Sequence, residues 1–372
     1  MFKCLFVFGT RPEAIKLSPV ILYMKERPDE FDVQVAVTAQ HRQMLDQVLA
    51  AFHIVPDYDL DLMTAGQTLS ALTARIIGGL EKVLAVSRPD IVFVQGDTTT
   101  TFCGALAAFY SGVPVGHIEA GLRTGDFAEP FPEEMNRVLT GRLAAIHFAA
   151  TEGARRNLLA EGVAVERIHV TGNSGIDAVL YVRDRLVSGE LPGDTWEFPG
   201  AARKLIVVTA HRRESFGVGV ESICAALKTL ARRPDVQIVW PVHRNPHVTG
   251  PVYEHLGQLE NVHLIEPLDY VPFIGLMRRA TLLLTDSGGI QEEGPSLGKP
   301  VIVMRDKTER PEAVEAGTVR LAGTGVERII HEVSRLLDDA GAREAMSRVH
   351  NPYGDGHASE RIVAATHTFL AG

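Results

Sequence analysis

Three carboxylates stand where apolar runs end: Asp97 after DIVFVQ, Glu119 closing PVGHIE, and Glu133 within EPFPEEMNR. Each has an ordinary explanation. Asp97 reads as a helix N-cap, and Glu133 with Glu134 reads as first-turn acid favoured by the helix dipole. Glu119 is harder to dismiss, because a charge at the end of a buried strand is costly unless it is paired or working. Three carboxylates converging on one cleft make an acid/base kit, in which environments that push pKa values apart separate the donor from the acceptor.

Cations and glycines stand at other strand ends. Arg11 precedes Pro12 at the start of a helix, where a cation opposes the dipole, an arrangement that makes sense around a bound anion; Lys16 follows at i+5. His211 opens HRRESFG, with Arg212 and Arg213 beside it, and His243 opens HRNP. In TLLLTDSGGIQEEG an apolar run stops at Asp286, and Ser287, Gly288 and Gly289 lead into a helix. Glycines there let backbone N–H groups approach a phosphate, while Glu293, one turn on, reaches ribose hydroxyls; the pattern points to a nucleotide diphosphate.

These residues need strands to carry them. Short β-branched runs predict strands at 5–8, 33–38, 90–95, 114–119, 146–150 and 167–172, and again at 204–210, 236–242, 262–267, 281–286, 300–304 and 319–323. Strands alternating with helices predict parallel sheets of βαβ units. The expectation is an α/β protein with two Rossmann-like doubly wound domains and an interdomain active-site cleft at the carboxyl ends of the strands. The domains are expected at 1–171 and 172–356, with 188–203 the most linker-like stretch.

A chain of 372 residues is long enough for two cores, and 45% hydrophobic with 22% charged residues is ordinary for a soluble protein. A net charge of −9 argues against a nucleic-acid or anionic-membrane surface. Cys4, Cys103 and Cys224 form no C-x-x-C pair and fit a reducing cytoplasm; the charged MFKCLFVFGTRPE start does not read as a secretory signal, and no apolar run is long enough to span a bilayer. G-x-G-x-x-G, a true P-loop, the zincin helix, the G-x-S-x-G elbow and the Tyr-x-x-x-Lys pair of NAD-dependent sugar epimerases are missing, so no redox cofactor and no catalytic metal are expected.

FGTRPEAIK (8–16), GDTTTTF (96–102), HIEAGLRTGD (117–126), PEEMNR (132–137), TGNSGIDA (171–178), HRRESFG (211–217), DSGGIQEEGPSLGKPV (286–301), RDKTERPEAVEAGTVRL (305–321) and NPYGDGHASERI (351–362) resemble the non-hydrolysing UDP-N-acetylglucosamine 2-epimerases over nearly the whole chain. The resemblance implies a glycosyltransferase-B-like fold, with a C-terminal helix over 357–372 packed back on the first domain. It implies interconversion of UDP-N-acetylglucosamine and UDP-N-acetylmannosamine through 2-acetamidoglucal, for envelope or capsular polysaccharide, by a cytoplasmic homodimer. Asp97, Glu119, Glu133 and His211 are then the catalytic candidates. Arg11, Lys16, Asp97, Glu119, His211, Phe273, Ser287, Gly288, Gly289, Glu293 and Arg310 are the substrate-binding candidates. Gln40, Gln43 and His243 match a second, regulatory site of some bacterial members, although Gly66 stands where some regulated members carry arginine. The rivals are a hydrolysing epimerase releasing free N-acetylmannosamine, a glycosyltransferase with an acceptor, and a non-catalytic UDP-sugar sensor.

Overall fold

The computed structural model describes residues 1–38, 42–64, 66–192, 203–212 and 216–372, without the side chains of residues 42 and 43. The chain divides into two compact units, Met1–Ala178 with Tyr353–Gly372, and Val179–Pro352. Most of the linker-like stretch expected at 188–203 lies outside the described residues.

The first unit is built on a seven-stranded parallel sheet. Its strands are β1 (Phe2–Phe8), β2 (Phe31–Val37), β3 (Tyr58–Asp59), β4 (Ile91–Gln95), β5 (Val115–Ala120), β6 (Ile146–Ala149) and β7 (Ile168–Val170), in the order β3-β2-β1-β4-β5-β6-β7. The connecting helices are α1 (Arg11–Lys25), α2 (Arg42–Ala51), α3 (Leu69–Ser87), α4 (Thr99–Tyr110), α5 (Glu133–Leu143) and α6 (Glu152–Ala160), and α7 (Ser174–Ser188) leaves after β7. Strands buried on both faces explain the unbroken apolar runs that marked them in the sequence. Leu5, Val7, Val92 and Val94 pack with Leu72, Ile76 and Leu80 of α3 on one side of that sheet.

The second unit repeats the plan with six parallel strands: β8 (Lys204–Thr209), β9 (Val236–Pro241), β10 (Val262–Ile265), β11 (Leu282–Thr285), β12 (Val301–Val303) and β13 (Val319–Leu321), ordered β10-β9-β8-β11-β12-β13. Helices α8 (Val218–Leu230), α9 (Pro246–Leu256), α10 (Tyr270–Arg279), α11 (Gly288–Ser296), α12 (Pro311–Ala316), α13 (Val326–Asp338) and α14 (Ala340–Arg348) complete it. Its core is centred on the fully buried Trp240 with Ile206, Ile238, Leu282 and Leu284.

The last helix, α15 (Ala358–Ala371), belongs to the first unit and packs against α1. Asp177 of α7 holds its start by accepting from the Ser359 and Ala358 N–H groups at 2.8 and 3.3 Å, a carboxylate placed where the helix dipole favours it. Two doubly wound parallel-sheet units in one chain are the glycosyltransferase-B-like α/β class. In each sheet the strand order reverses once, between β1 and β4 and between β8 and β11. Ligands of open α/β sheets bind at such switch points.

Candidate functional site

At the switch point of the first unit, Gly9 directly follows β1. A Cβ there would lie 2.1 Å from Thr38 Oγ1 and 2.7 Å from Thr100 Oγ1, so only glycine lets the ends of β1 and β2 meet the start of α4. Arg11 opens α1 directly afterwards, and Lys16 stands one turn along the same helix. Across the switch point, β4 is followed by Gly96, Asp97 and Thr98. Asp97 is not the N-cap the sequence offered. Thr98 is, accepting from the Thr101 N–H at 3.1 Å, which leaves the Asp97 carboxylate for other work.

That carboxylate meets Arg137 Nη2 at 2.6 Å, and Asn136 Nδ2 donates to the Asp97 carbonyl at 2.9 Å, so two residues of α5 grip the loop. Burial pushes the Asp97 carboxyl up to about 6; Arg137 and Lys16 pull it down, Glu119 and Glu133 push it up. The three carboxylates thus share one field, and one of them titrates near neutrality. Glu133, the first residue of α5, is half-buried. Its neighbour Glu134 is buried and structural: it pairs with Arg137 at 3.3 Å and accepts from the Thr124 and Gly125 N–H groups.

Glu119 owes its direction to a break in β5. The register with β6 shifts between Ile118 and Ala120, and Glu119 takes φ +61°. A glutamate held in the left-handed region costs on the order of 1–3 kcal/mol, and such strain is concentrated at functional sites. Both carboxylate oxygens are engaged. Oε1 accepts from Lys16 Nζ at 2.5 Å, and Oε2 accepts from the buried Gln95 amide. His117, two residues earlier, is fully buried; its Nε2 lies 2.8 Å from the Gly96 carbonyl, and burial holds its imidazole down to about 4. Neutral His117 therefore donates to the loop that carries Asp97.

In the second unit, His211 and Arg212 follow β8, and Asp286, Ser287, Gly288 and Gly289 follow β11. Asp286 is fully buried and accepts from the His211 and Arg212 backbone N–H groups, both at 2.8 Å. Its other oxygen lies 3.1 Å from His211 Nδ1. Burial alone would raise Asp286, but the His211 ring and the two N–H groups outweigh it and hold the carboxyl below its ordinary value. The carboxylate thus lies against one nitrogen of the imidazole, Nδ1.

Ser287 occupies the N-cap of α11, although its hydroxyl makes no cap bond; its N–H donates to Thr285 Oγ1 at 2.9 Å. A Cβ on Gly288 would stand 3.6 Å from Arg310 Nη2 and 3.7 Å from Arg212 Nη2. Two guanidiniums therefore flank the positive end of a helix, with Glu309 3.7 Å from Arg212 and 3.8 Å from Arg310, an arrangement suited to a polyanion. Arg310 is held there through its Nε by the buried Glu292. Glu292 is thus spent on an ion pair. Glu293 follows it, half-buried, and Phe273 is half-buried in the first turn of α10.

The structure brings Lys16, Asp97, Glu119 and Glu133 into one charge cluster of the first unit, and His211, Gly288 and Arg310 into the β8–β11 end of the second. Of the regulatory candidates, Gln40 and the side chain of Gln43 lie outside the described residues. The exposed His243 ring stacks on His211 with centroids 6.1 Å apart. Arg137, Gln95, Asp286 and Arg212 are partners that the set of candidates omitted. Asp286 carried the same signal as Glu119, a carboxylate closing an apolar run, and Arg137 sits three residues after Glu134; Gln95 gave none. Among the described residues no group of His, Cys, Asp and Glu is arranged to hold a metal, and no helix is long and apolar enough to cross a membrane.

Residues 24–367 match the family model described as UDP-N-acetylglucosamine 2-epimerase. The UDP-N-acetylglucosamine 2-epimerase of Salmonella typhimurium is 57% identical over 372 residues, 99% of each chain. That of Escherichia coli K12 is 58% identical over 369 residues, 98% of each chain. The crystal structure of the Neisseria meningitidis UDP-GlcNAc 2-epimerase bound to UDP-GlcNAc is 48% identical, covers both chains fully and superposes with a TM-score of 0.90.

Proposed function

We propose that this chain, which belongs to the UDP-N-acetylglucosamine 2-epimerase family, interconverts UDP-N-acetylglucosamine and UDP-N-acetylmannosamine without hydrolysis. The observation that carries the reading is the coupled carboxylate cluster: Asp97 pushed up to about 6, in the field of a Glu119 whose two oxygens both accept hydrogen bonds. Two such groups in different environments suit removal of a proton from one face of a carbon and its delivery to the other.

The carbon 2 proton is not acidic in the intact sugar. Departure of UDP from carbon 1 leaves an oxocarbenium-like centre that acidifies it. In the elimination, the C1–O bond breaks with its electron pair leaving on UDP, a carboxylate takes the carbon 2 proton, and the C–H electrons form the C1=C2 bond of 2-acetamidoglucal. In the re-addition, a proton arrives on the opposite face of carbon 2 and a UDP oxygen closes on carbon 1. Asp97, Glu119 and Glu133 are the acid/base candidates, and each proton transfer so assisted is worth about 10²–10⁴ in rate.

Arg212, Arg310, the α11 N-terminus and His211 take the departing diphosphate, where preorganised donors are worth most. Arg11 and Lys16 contribute further positive charge, Phe273 an apolar contact, and Ser287, Gly289 and Glu293 uridine contacts. The product supplies N-acetylmannosamine units for envelope or capsular polysaccharide, and the enzyme acts in the cytoplasm as a homodimer.

Proton and phosphorus NMR of UDP-N-acetylglucosamine with the purified protein tests the reading. The expected result is UDP-N-acetylmannosamine, with free UDP only at trace level. Free N-acetylmannosamine with an equal amount of UDP would replace it with the hydrolysing reaction, and unchanged substrate would contradict both.

A further inference from the structure

Glu13 occupies the third position of α1, where first-turn acids ordinarily face water, yet it is only 1% exposed. Its carboxylate accepts from five donors. Oε2 takes the Gly9 N–H at 3.1 Å, the Thr10 N–H at 2.7 Å and the Thr10 hydroxyl at 2.7 Å. Oε1 takes the Thr98 hydroxyl at 2.7 Å and the Thr101 hydroxyl at 3.1 Å. Capping α1 needs only the Thr10 N–H. The remaining bonds, and the burial of a carboxylate among neutral donors, exceed what a cap requires.

The two oxygens serve two different loops. Thr10 is the neighbour of Arg11 after β1, and Thr98 is the neighbour of Asp97 after β4. The single Thr101 hydroxyl hydrogen is shared between Glu13 and the nearer Gln95 carbonyl at 2.6 Å, and the Gln95 side chain holds Glu119. One side chain thus braces the backbone beneath Arg11, Asp97 and, through Gln95, Glu119.

We propose that Glu13 is a positioning residue: a buried carboxylate strut that fixes the Gly9–Arg11 loop to the Asp97–Thr98 loop and keeps the proton-transferring groups in register with the cation beside them. The inference rests on the function proposed above. Glu13 itself touches no substrate. Its contribution is the sub-ångström placement of Asp97, and misplacement by about 1 Å costs roughly 100-fold in rate.

The test compares Glu13→Gln, Thr98→Val, Thr98→Ser and the Glu13→Gln/Thr98→Val double variant with the unmodified full chain. The readings are deuterium incorporation at carbon 2, UDP affinity and Tm. Thr98→Val removes, without changing charge, both the donor to Glu13 and the α4 cap that accepts from the Thr101 N–H; Thr98→Ser keeps both, and Glu13→Gln leaves the cap in place. The expected result is a loss of about 10- to 100-fold in kcat for Glu13→Gln and for Thr98→Val, with UDP affinity falling less than kcat, because, of the proposed diphosphate contacts, only Arg11 and Lys16 lie on the braced unit. Thr98→Ser should recover nearly the full rate. The double variant should lose no more than the worse single one, because both break the same strut.

Full kcat in folded Glu13→Gln, or losses that multiply in the double variant, would overturn the inference, as would a fall in Tm alone. If Glu13→Gln fails to fold, the Thr98→Val and Thr98→Ser pair decides by the same criteria. If the unmodified chain shows no turnover, the function reading fails, and carboxyl ¹³C titration of Asp97 decides about the strut. Arg137, Glu119, Lys16 and Glu133 are the charges that act on Asp97. A strut predicts a displaced Asp97 midpoint in Thr98→Val, and an unchanged midpoint contradicts it.

Discussion

The Asp97 carboxylate lies 2.6 Å from the Arg137 guanidinium and is nevertheless held up at about 6, because burial outweighs the arginine. The pair therefore tunes a carboxyl toward neutrality instead of locking it ionised. Removing the arginine leaves burial, Glu119 and Glu133 less opposed. Arg137→Met is expected to raise the Asp97 carboxyl further and to move the acidic limb of kcat/KM to higher pH by about 1 unit. A limb that stays in place, or moves to lower pH, would remove Asp97 from the titrating role.

Asp97 also has a signature in stability. Its folded-state carboxyl lies above the ordinary 3.8, so the unfolded chain gives up its proton first. Stability therefore declines as pH rises from about 4 to about 6 and stays reduced above that. Asn at this position cannot ionise. Asp97→Asn should be more stable than the parent by on the order of 1–3 kcal/mol at pH 8 and equal to it below pH 4, while losing activity. Urea unfolding at the two pH values reads the difference directly; greater stability of the parent at pH 8 would contradict the argument.

Gly288 separates binding from folding. A methyl group there would meet the Arg310 and Arg212 guanidiniums at ordinary contact distances of 3.6 and 3.7 Å, and alanine suits a helix start better than glycine by about 0.5–1 kcal/mol. Gly288→Ala should therefore keep or raise Tm and weaken UDP binding by about tenfold or more, because the methyl occupies the approach of the diphosphate. Unchanged UDP affinity by calorimetry would move the diphosphate elsewhere.

Asp286 has the opposite sign from Asp97. Burial would raise it, but the His211 ring and two backbone N–H groups hold it below its ordinary value. Its stabilisation is fully present above the unfolded-state value near 3.8 and is lost as pH falls through the lower folded-state value. Asp286→Asn should cost about 1–3 kcal/mol at pH 7, a cost that shrinks in acid. The same change frees the His211 ring and lowers UDP affinity. A loss of stability that persists undiminished in acid would point to packing and not to charge.

The sheets were legible because parallel strands buried on both faces are written as apolar runs, and each run that predicted a strand overlaps an observed one. β3 was not, since Tyr58–Asp59 is too short to show a pattern. The strand-end residues could be found because open α/β sheets bind ligands there. What they do to one another was hidden. That Thr98 and not Asp97 caps α4 was hidden because both residue types cap helices, and the register shift that turns Glu119 into the left-handed region depends on β6, a separate strand. The ion pair of Glu134 with Arg137 was hidden behind a first-turn position that the helix dipole explains equally well, and that of Glu292 with Arg310 joins residues 18 apart.

The central claim, that half-buried carboxylates exchange the proton on carbon 2, is tested most directly in D2O. UDP-N-acetylglucosamine incubated with the enzyme should gain deuterium at carbon 2 in both epimers, at a rate that Asp97→Asn and Glu119→Gln abolish. Epimers that form with protium retained at carbon 2, or exchange that survives both substitutions, would contradict it.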